Sequence, residues 1–442
     1  MVKKYWLEIY GCQMNFAEGY ALENELSRRG WEPALTAEEA DTVILHTCSV
    51  RQTAENRIWG RLGYFTHIKQ SRSQQLILMG CMAERLKEKI QQKVPAVDLV
   101  IGTFGKEYLA AIIDGDADGG SNDFPEVLTA PGQKKPFRFH NYHHRDRDFH
   151  AYLPIMHGCN NFCTYCIVPH VRGREVSRPT EEILSEVDHL EKDGVREITL
   201  LGQNVNSYSF DDGKKVITFP EILKLVLRRT RHIEWVRFIS SHPKDVHPRL
   251  IEMIATEPKL CRHVHLPVQH GSSSVLKRMN RKYSREEYLR LIEKMRSSIG
   301  ELSLTTDIMI GFPGETQDDF EDTLELIREV RFDDAYMYYY NVREGTPAAD
   351  FDGQLSKQTK LDRLAEVIKV QREISTQKKL ARIGMKERVL AESVSKNNRA
   401  EILGRTERDQ MVVFHGDEEQ IGKFFTVRLD QLNGNTFKGS VI

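Results

Sequence analysis

The sequence has no uninterrupted apolar stretch near the roughly 20 residues that a helix needs to cross a bilayer, so no helical membrane span is expected. It also lacks a signal-like opening: Glu8 falls inside what would have to be the apolar region, and the first residues read better as a β-strand. A cytoplasmic protein is expected. Net charge is missing too, with 63 Lys and Arg against 64 Asp and Glu. Global electrostatics therefore announces no nucleic-acid partner, and any polyanion site must be a local patch. The seven cysteines are Cys12, Cys48, Cys81, Cys159, Cys163, Cys166 and Cys261. An odd set in a reducing compartment argues against a disulfide framework and for metal ligation or chemistry.

What is present is ordinary globular composition, 40% apolar and 29% charged over 442 residues. That length suggests about three domains at roughly 150 residues each. Residues 1–125 alternate strands at 6–10, 42–45, 75–79 and 97–101 with helical stretches at 18–29, from 51, and at 83–92. Such a βαβα order implies a parallel sheet covered on both faces. An acidic, glycine-rich stretch at 114–122 then reads as a loop, and 126–144 as the linker. Residues 133–150 mix Lys, Arg and His with aromatics, a solvated connector in preference to an RNA-contacting arm.

Residues 145–375 repeat strand and helix six times, with strands at 151–156, 197–201, 235–239, 263–267, 303–310 and 335–341. Six such units make most of a (β/α) barrel, with its site at the carboxyl ends of the strands. Residues 357–388 read as one helix carrying ten Lys or Arg against four Asp or Glu. From 376 to 442, five short alternating runs separated by turn residues suggest a small five-stranded, OB-like barrel. The fold class is thus α/β with an all-β appendix.

Cys159, Cys163 and Cys166 follow the first barrel strand directly, spaced four and three residues apart. Thiolates this close on one loop suit an iron–sulfur cluster with one iron left open. A structural zinc site completed by a distant His is the alternative. Cys12, Cys48 and Cys81 each stand just beyond the carboxyl end of an expected parallel strand, the edge where open α/β sheets build their crevice. They are either a second convergent set or three separate buried cysteines. Cys261 reads as a buried structural thiol.

On these residues the chain resembles the radical S-adenosylmethionine methylthiotransferases along nearly its whole length. The 159–166 loop matches the family's cluster signature, the first triad its auxiliary-cluster domain, and the C-terminal barrel its TRAM domain. The stretches at 47–57, 80–85, 166–175 and 200–208 are most similar to the branch acting on isopentenylated adenosine in tRNA. Sister branches act on threonylcarbamoyl-adenosine in tRNA or on a ribosomal protein. Two positions depart from the family's usual residues: His46 stands where Asn is usual, and His270 where Ser is usual.

The resemblance implies two [4Fe-4S] clusters, on Cys159, Cys163 and Cys166 and on Cys12, Cys48 and Cys81, with S-adenosylmethionine as methyl donor and radical source. It implies methylthiolation of C2 of N6-isopentenyladenosine next to the anticodon (position 37), the N-terminal cluster carrying the sulfur. Gly202, Gln203, Asn204, Ser241, Gln269 and Asp307 are the candidate S-adenosylmethionine contacts, each equally readable as a loop-capping residue. The 311–315 turn resembles the superfamily's adenine-side turn. Arg172, Arg174, Arg178, the 357–388 helix and the C-terminal barrel are the candidate tRNA contacts. An electron donor such as flavodoxin or ferredoxin and a monomeric state complete the expectation. A non-catalytic, zinc-bearing RNA-binding module is the rival from another class.

Overall fold

A computed structural model describes residues 2–49, 52–114, 137, 139 and 148–442. Apart from residues 137 and 139, the expected linker at 126–144 lies outside these residues, as does most of the basic 133–150 stretch.

The N-terminal part runs β1 (Lys4–Ile9), α1 (Gln13–Arg28), β2 (Glu32–Pro33), β3 (Thr42–Thr47), α2 (Gln52–Lys69), β4 (Gln75–Gly80), α3 (Cys81–Leu86), α4 (Glu88–Lys93), β5 (Leu99–Ile101) and α5 (Leu109–Asp114). The strands form a parallel sheet in the order β2-β1-β3-β4-β5. β3 is buried at every position, as a strand covered on both faces must be. Ile44, Ile77 and Ile101 pack with Leu22 and Leu26 on one side. Val43, Leu45 and Leu78 pack with Ile58, Leu62 and Phe65 of α2 on the other. The single helix expected at 83–92 is broken at Lys87, whose φ is 42°.

The central part contains β6 (His150–Pro154), β7 (Met156–His157), α6 (Val168–Arg172), β8 (Val176–Ser177), α7 (Thr180–Lys192), β9 (Glu197–Leu201), β10 (Ser209–Asp211), β11 (Val216–Thr218), α8 (Phe219–Arg229), β12 (Trp235–Phe238), α9 (Pro248–Thr256), β13 (His263–His265), α10 (Ser273–Arg278), α11 (Arg285–Ser298), β14 (Ser303–Ile310), α12 (Gln317–Val330), β15 (Asp334–Tyr339) and α13 (Lys357–Leu380). The six principal strands lie in chain order as two parallel triplets, β6-β9-β12 and β13-β14-β15. A single bridge, Val236 to Leu260, spans the gap between them. One apolar core fills the space between strands and outer helices, with Ile183 and Val187 of α7, Ile222 of α8 and Ile327 of α12 fully buried. Capping boxes at Thr218, Ser284 and Thr316 start α8, α11 and α12; such caps each contribute about 1 kcal/mol.

α13 stops at Leu380, short of the expected 388. From Lys386 the chain pairs with Arg428 and its neighbours instead. The expected boundary at 375/376 therefore falls inside the helix, and the change of architecture comes in the turn after it. Strands β16 (Lys386–Val394), β17 (Glu401–Thr406), β18 (Met411–His415), β19 (Phe424–Asn433) and β20 (Thr436–Val441) close a barrel in the order β16-β17-β18-β20-β19. It docks beside β12, where Trp235 meets Phe424 edge-on and packs with Cys261 and Leu390.

Candidate functional site

The cysteines of the central part sit on a loop fixed from both sides. Gly158 has φ +76°, and a Cβ there would lie 2.0 Å from the Arg174 carbonyl oxygen, so only glycine fits. The Cys159 amide donates to Gly173 at 3.1 Å and that of Thr164 to Met279 at 3.1 Å. The Asn280 side chain donates to the Phe162 carbonyl at 2.9 Å. Phe162 itself is left-handed, with φ 49°. Burial first, then the neighbouring thiols, pushes Cys166 up to about 12; burial pushes Cys159 up to about 11. Thiols raised in this way at Cys159 and Cys166 ionise readily only with a cation beside them, which is what an iron–sulfur centre provides. Arg281, buried, places Nη1 3.5 Å from the Cys163 sulfur.

The other three cysteines are brought together by sheet register. Thr47 pairs with Gly80 at the end of β3 and β4, so Cys48 and Cys81 each come immediately after adjacent strands. Tyr10, just beyond β1, donates its amide to His46. A Cβ on Gly11 would lie 2.6 Å from the Cys48 Cβ, so the Cys12 turn approaches Cys48 closely. Cys12 and Cys81 lie within electrostatic reach of one another, and burial raises the Cys81 thiol. Cys12 is exposed while Cys48 and Cys81 are buried. Among the described residues, no three His, Cys, Asp or Glu side chains are closed to metal-ligand separations. Cys81 packs against Ile167, the residue after Cys166, and Val171 of α6, so the two sets flank α6. α1 seals the seam, its Met14, Ala17 and Ala21 packing on Leu201 with Tyr152 and Ile239.

The other expected cofactor contacts form two groups around the strand ends. Gly202 follows β9 so tightly that a Cβ would meet Met156 Cγ at 2.4 Å. Asn204 donates to Asp245 at 2.7 Å, and Ser241 to Asn206 at 3.1 Å. Gln203 Oε1 and Asn204 Oδ1 are buried without a hydrogen-bond partner, and orphaned buried acceptors of this kind call for a ligand or water. In the second group, Gln269 takes φ +71° and donates Nε2 to Asp307 at 3.5 Å. The Tyr338 hydroxyl donates to Gln269 Oε1 at 3.3 Å, and His265 lies 3.6 Å from Asp307. The turn at 311–315 is closed by Glu315, whose carboxylate receives the Phe312 amide of the same turn at 3.2 Å and His270 at 3.1 Å.

Two expected tRNA contacts are corrected. Arg172 and Arg178 are 3% and 0% exposed. Arg178 pairs with Glu186 at 2.6 Å and Arg172 with Glu18 at 2.7 Å, partners that hold them inside the protein. Arg174 remains exposed over the Phe162 ring, at 4.1 Å. Much of the basic excess of α13 is also engaged: Lys378 binds Asp333 at 2.7 Å and Arg363 binds Glu315 at 2.6 Å. Sequence reading missed Arg281 and Tyr338, which join the site only through the fold.

Three family descriptions match the chain in order: uncharacterized protein family UPF0004 over residues 4–102, the Radical SAM superfamily over 153–327 and the TRAM domain over 381–442. The superfamily carries S-adenosylmethionine and a [4Fe-4S] cluster. Among curated proteins, the tRNA-2-methylthio-N(6)-dimethylallyladenosine synthase of Treponema denticola is 48% identical, covering 99% of both chains. The synthase of the same name from Dictyoglomus thermophilum is 42% identical over 99% of this chain and 98% of its own. Among solved structures, the radical S-adenosylmethionine methyltransferase TsrM from Kitasatospora setae aligns with TM-score 0.59 at 12% identity, covering 79% of this chain and 74% of its own. The cobalamin-dependent radical enzyme OxsB aligns at 0.53 and 13%, covering 82% and 56%. These two share the fold alone. With its three matches in chain order and 48% identity carried across the full length, the chain belongs to the tRNA-2-methylthio-N(6)-dimethylallyladenosine synthase family of radical S-adenosylmethionine enzymes.

Proposed function

We infer that the protein transfers a methylthio group to C2 of N6-isopentenyladenosine next to the anticodon of tRNA, giving 2-methylthio-N6-isopentenyladenosine. The observation that carries this reading is the pair of cysteine triads flanking α6, with Cys81 packed on Ile167 and Val171. A radical centre alone needs one triad; carriage of sulfur to the same substrate needs a second within reach.

Cys159, Cys163 and Cys166 hold the cluster of the barrel, and Cys12, Cys48 and Cys81 hold a second [4Fe-4S] cluster. When bound, the first supplies an electron to the sulfonium of S-adenosylmethionine, opening radical chemistry at an unactivated C–H position that acid–base chemistry cannot reach. Gly202 leaves room against Met156, while Gln203 and Asn204 offer their orphaned oxygens to the amino end of S-adenosylmethionine. Ser241 stiffens that loop through Asn206. Gln269 and Asp307, steadied by Tyr338 and His265, orient the ligand from the opposite strand ends. α1 and the Met14 face exclude water from the seam. Domain limits of 1–125, a linker at 126–144 and a core from 145 follow, the last limit moving from 375/376 to the turn after Leu380. The protein works as a cytoplasmic monomer reduced by flavodoxin or ferredoxin.

The test is anaerobic reconstitution followed by incubation with S-adenosylmethionine, reductant and isopentenylated tRNA. About eight irons and methylthiolated nucleoside support the reading. About four irons with 5′-deoxyadenosine and no methylthio product sink the second cluster. Equal product from tRNA of cells lacking isopentenylation redirects the activity to another adenosine.

A further inference from the structure

One side chain of the barrel part crosses the seam and grips the turns that carry the other triad. Arg172 ends α6, six residues beyond Cys166. Its Nη1 donates to Glu18 Oε1 at 2.7 Å and its Nη2 to Glu18 Oε2 at 3.2 Å, a two-pronged pair out of water. Nη2 also donates to Asn15 Oδ1 at 3.3 Å. Asn15 is fully buried, and its Nδ2 donates to the carbonyls of Tyr10 and Thr47, both at 2.9 Å. Tyr10 stands two residues before Cys12, and Thr47 one before Cys48. A single amide therefore ties both cysteine turns, and Arg172 holds that amide. The Cys12 sulfur lies 3.5 Å from the same Asn15 oxygen.

The charge arrangement is lopsided in a consistent direction. Glu18 also pairs with the buried Lys106, so two cations meet one carboxylate. His46 Nε2 lies 3.3 Å from Glu18 Oε2, and His157 Nδ1 lies 3.4 Å from Arg172 Nη1. The surplus positive charge of Arg172 faces Cys81 and Cys12. Stability is a poor reason for such an arrangement, because apolar residues of similar volume commonly stabilise as well as a buried ion pair. The planar fork of arginine, by contrast, fixes orientation in a way a flexible ammonium cannot.

We propose that Arg172 is a positioning residue for the second triad: acting from the barrel part, it sets the Cys12 and Cys48 turns through Asn15 and Glu18 and holds a positive charge against the thiolate set. The inference rests on the assignment of a cluster to Cys12, Cys48 and Cys81.

Full-length R172M, R172K and C81A proteins are reconstituted beside the unsubstituted one. Iron content, the midpoint potential of each centre by EPR-monitored titration, 5′-deoxyadenosine and methylthio-nucleoside are then measured. R172M should make the N-terminal centre alone harder to reduce, and lower product per 5′-deoxyadenosine by about a hundredfold, the scale of a misplacement near 1 Å. R172K keeps the charge without the fork, so its potential should return while its product stays low. If R172M does not fold, R172K carries the test alone. Full product from R172K, unchanged potentials in R172M, or an equal shift of both centres overturns the proposal. C81A with full iron and an unaltered second EPR signal removes the cluster assignment itself, whatever R172M does.

Discussion

Arg281 stands with Nη1 3.5 Å from the Cys163 sulfur, held there by bonds from Nη2 to the Pro267 carbonyl at 2.8 Å and from Nε to the Tyr283 hydroxyl at 2.8 Å. A guanidinium so fixed presents its positive charge to the Cys163 sulfur and ties the cysteine loop to the end of β13. R281M removes the charge and one of the two donors on the Pro267 carbonyl, leaving the Tyr283 hydroxyl at 3.2 Å; losing a hydrogen bond from a charged donor costs roughly 1.5–3 kcal/mol. The expected outcome is a lower urea midpoint for the apoprotein, together with poorer iron retention on the barrel triad. An unchanged midpoint with full iron would contradict the assigned role.

Gly158 gives a sharper steric prediction. A methyl group at this position falls 2.0 Å from the Arg174 carbonyl oxygen and forces an L-residue to φ +76°. The contacting atom is backbone, so nothing flexible can yield, and strain of this kind costs on the order of 1–3 kcal/mol before any clash. G158A should lose iron from the barrel triad and with it 5′-deoxyadenosine formation, while the N-terminal part keeps its own iron. Iron counting with EPR separates the two centres, and intact barrel-cluster signal in G158A would show that the loop tolerates the shift.

The strands and cysteine positions were legible because they depend on local pattern. Apolar runs such as Thr42–Thr47 end in a turn that presents Cys48, and register alone then sets it beside Cys81. The roles of the arginines were not legible, because their partners lie far off in sequence: Glu18 is 154 residues from Arg172, and Cys163 is 118 from Arg281. A basic stretch looks the same whether its cations meet solvent or the carboxylates of another domain. The helix from 357 ends early for a similar reason: Gly384 donates to Leu429 at 2.7 Å, a tertiary bond that no propensity announces.

The docking of the small barrel should be acid-sensitive through Glu197. Its buried carboxylate receives Arg237 Nε at 3.1 Å and Arg405 Nη2 at 2.6 Å, while Arg237 also bonds the carbonyls of Thr406 and Glu407 at 2.8 and 2.9 Å. Burial alone would raise the Glu197 carboxyl; Arg237 and Arg405 outweigh it and hold the group down at about 2. A depressed folded value means stability that is present above the ordinary carboxylate range and lost as pH falls through about 2. The gap corresponds to roughly 3 kcal/mol. E197Q should destabilise by roughly 3–5 kcal/mol near neutrality, as expected for breaking a buried ionic contact. The difference from the unsubstituted protein should shrink between pH 4.5 and 2. Denaturation at a series of pH values tests this; a gap independent of pH would show that Glu197 acts through packing.

Binding of tRNA should be electrostatic but carried by few side chains, since the buried cations are already paired. Arg174 lies over the Phe162 ring at 4.1 Å on the rim of the cysteine loop, and Lys357, Lys369, Arg372 and Lys386 are exposed along the C-terminal half. Each phosphate contact contributes about 0.7–0.9 to the slope of log affinity against log salt. R174A should therefore weaken binding and reduce that slope by about 1. R178A should leave the slope unchanged and lower stability instead, because Arg178 spends its charge on Glu186 and Glu182. Phe162 is 36% exposed beside Arg174, and a ring in this position can stack on an unpaired anticodon-loop base, worth about 1–3 kcal/mol. F162L then costs affinity for folded tRNA at every salt concentration without changing the slope. A slope that R174A leaves intact, or that R178A reduces, would move the RNA surface away from the cysteine loop.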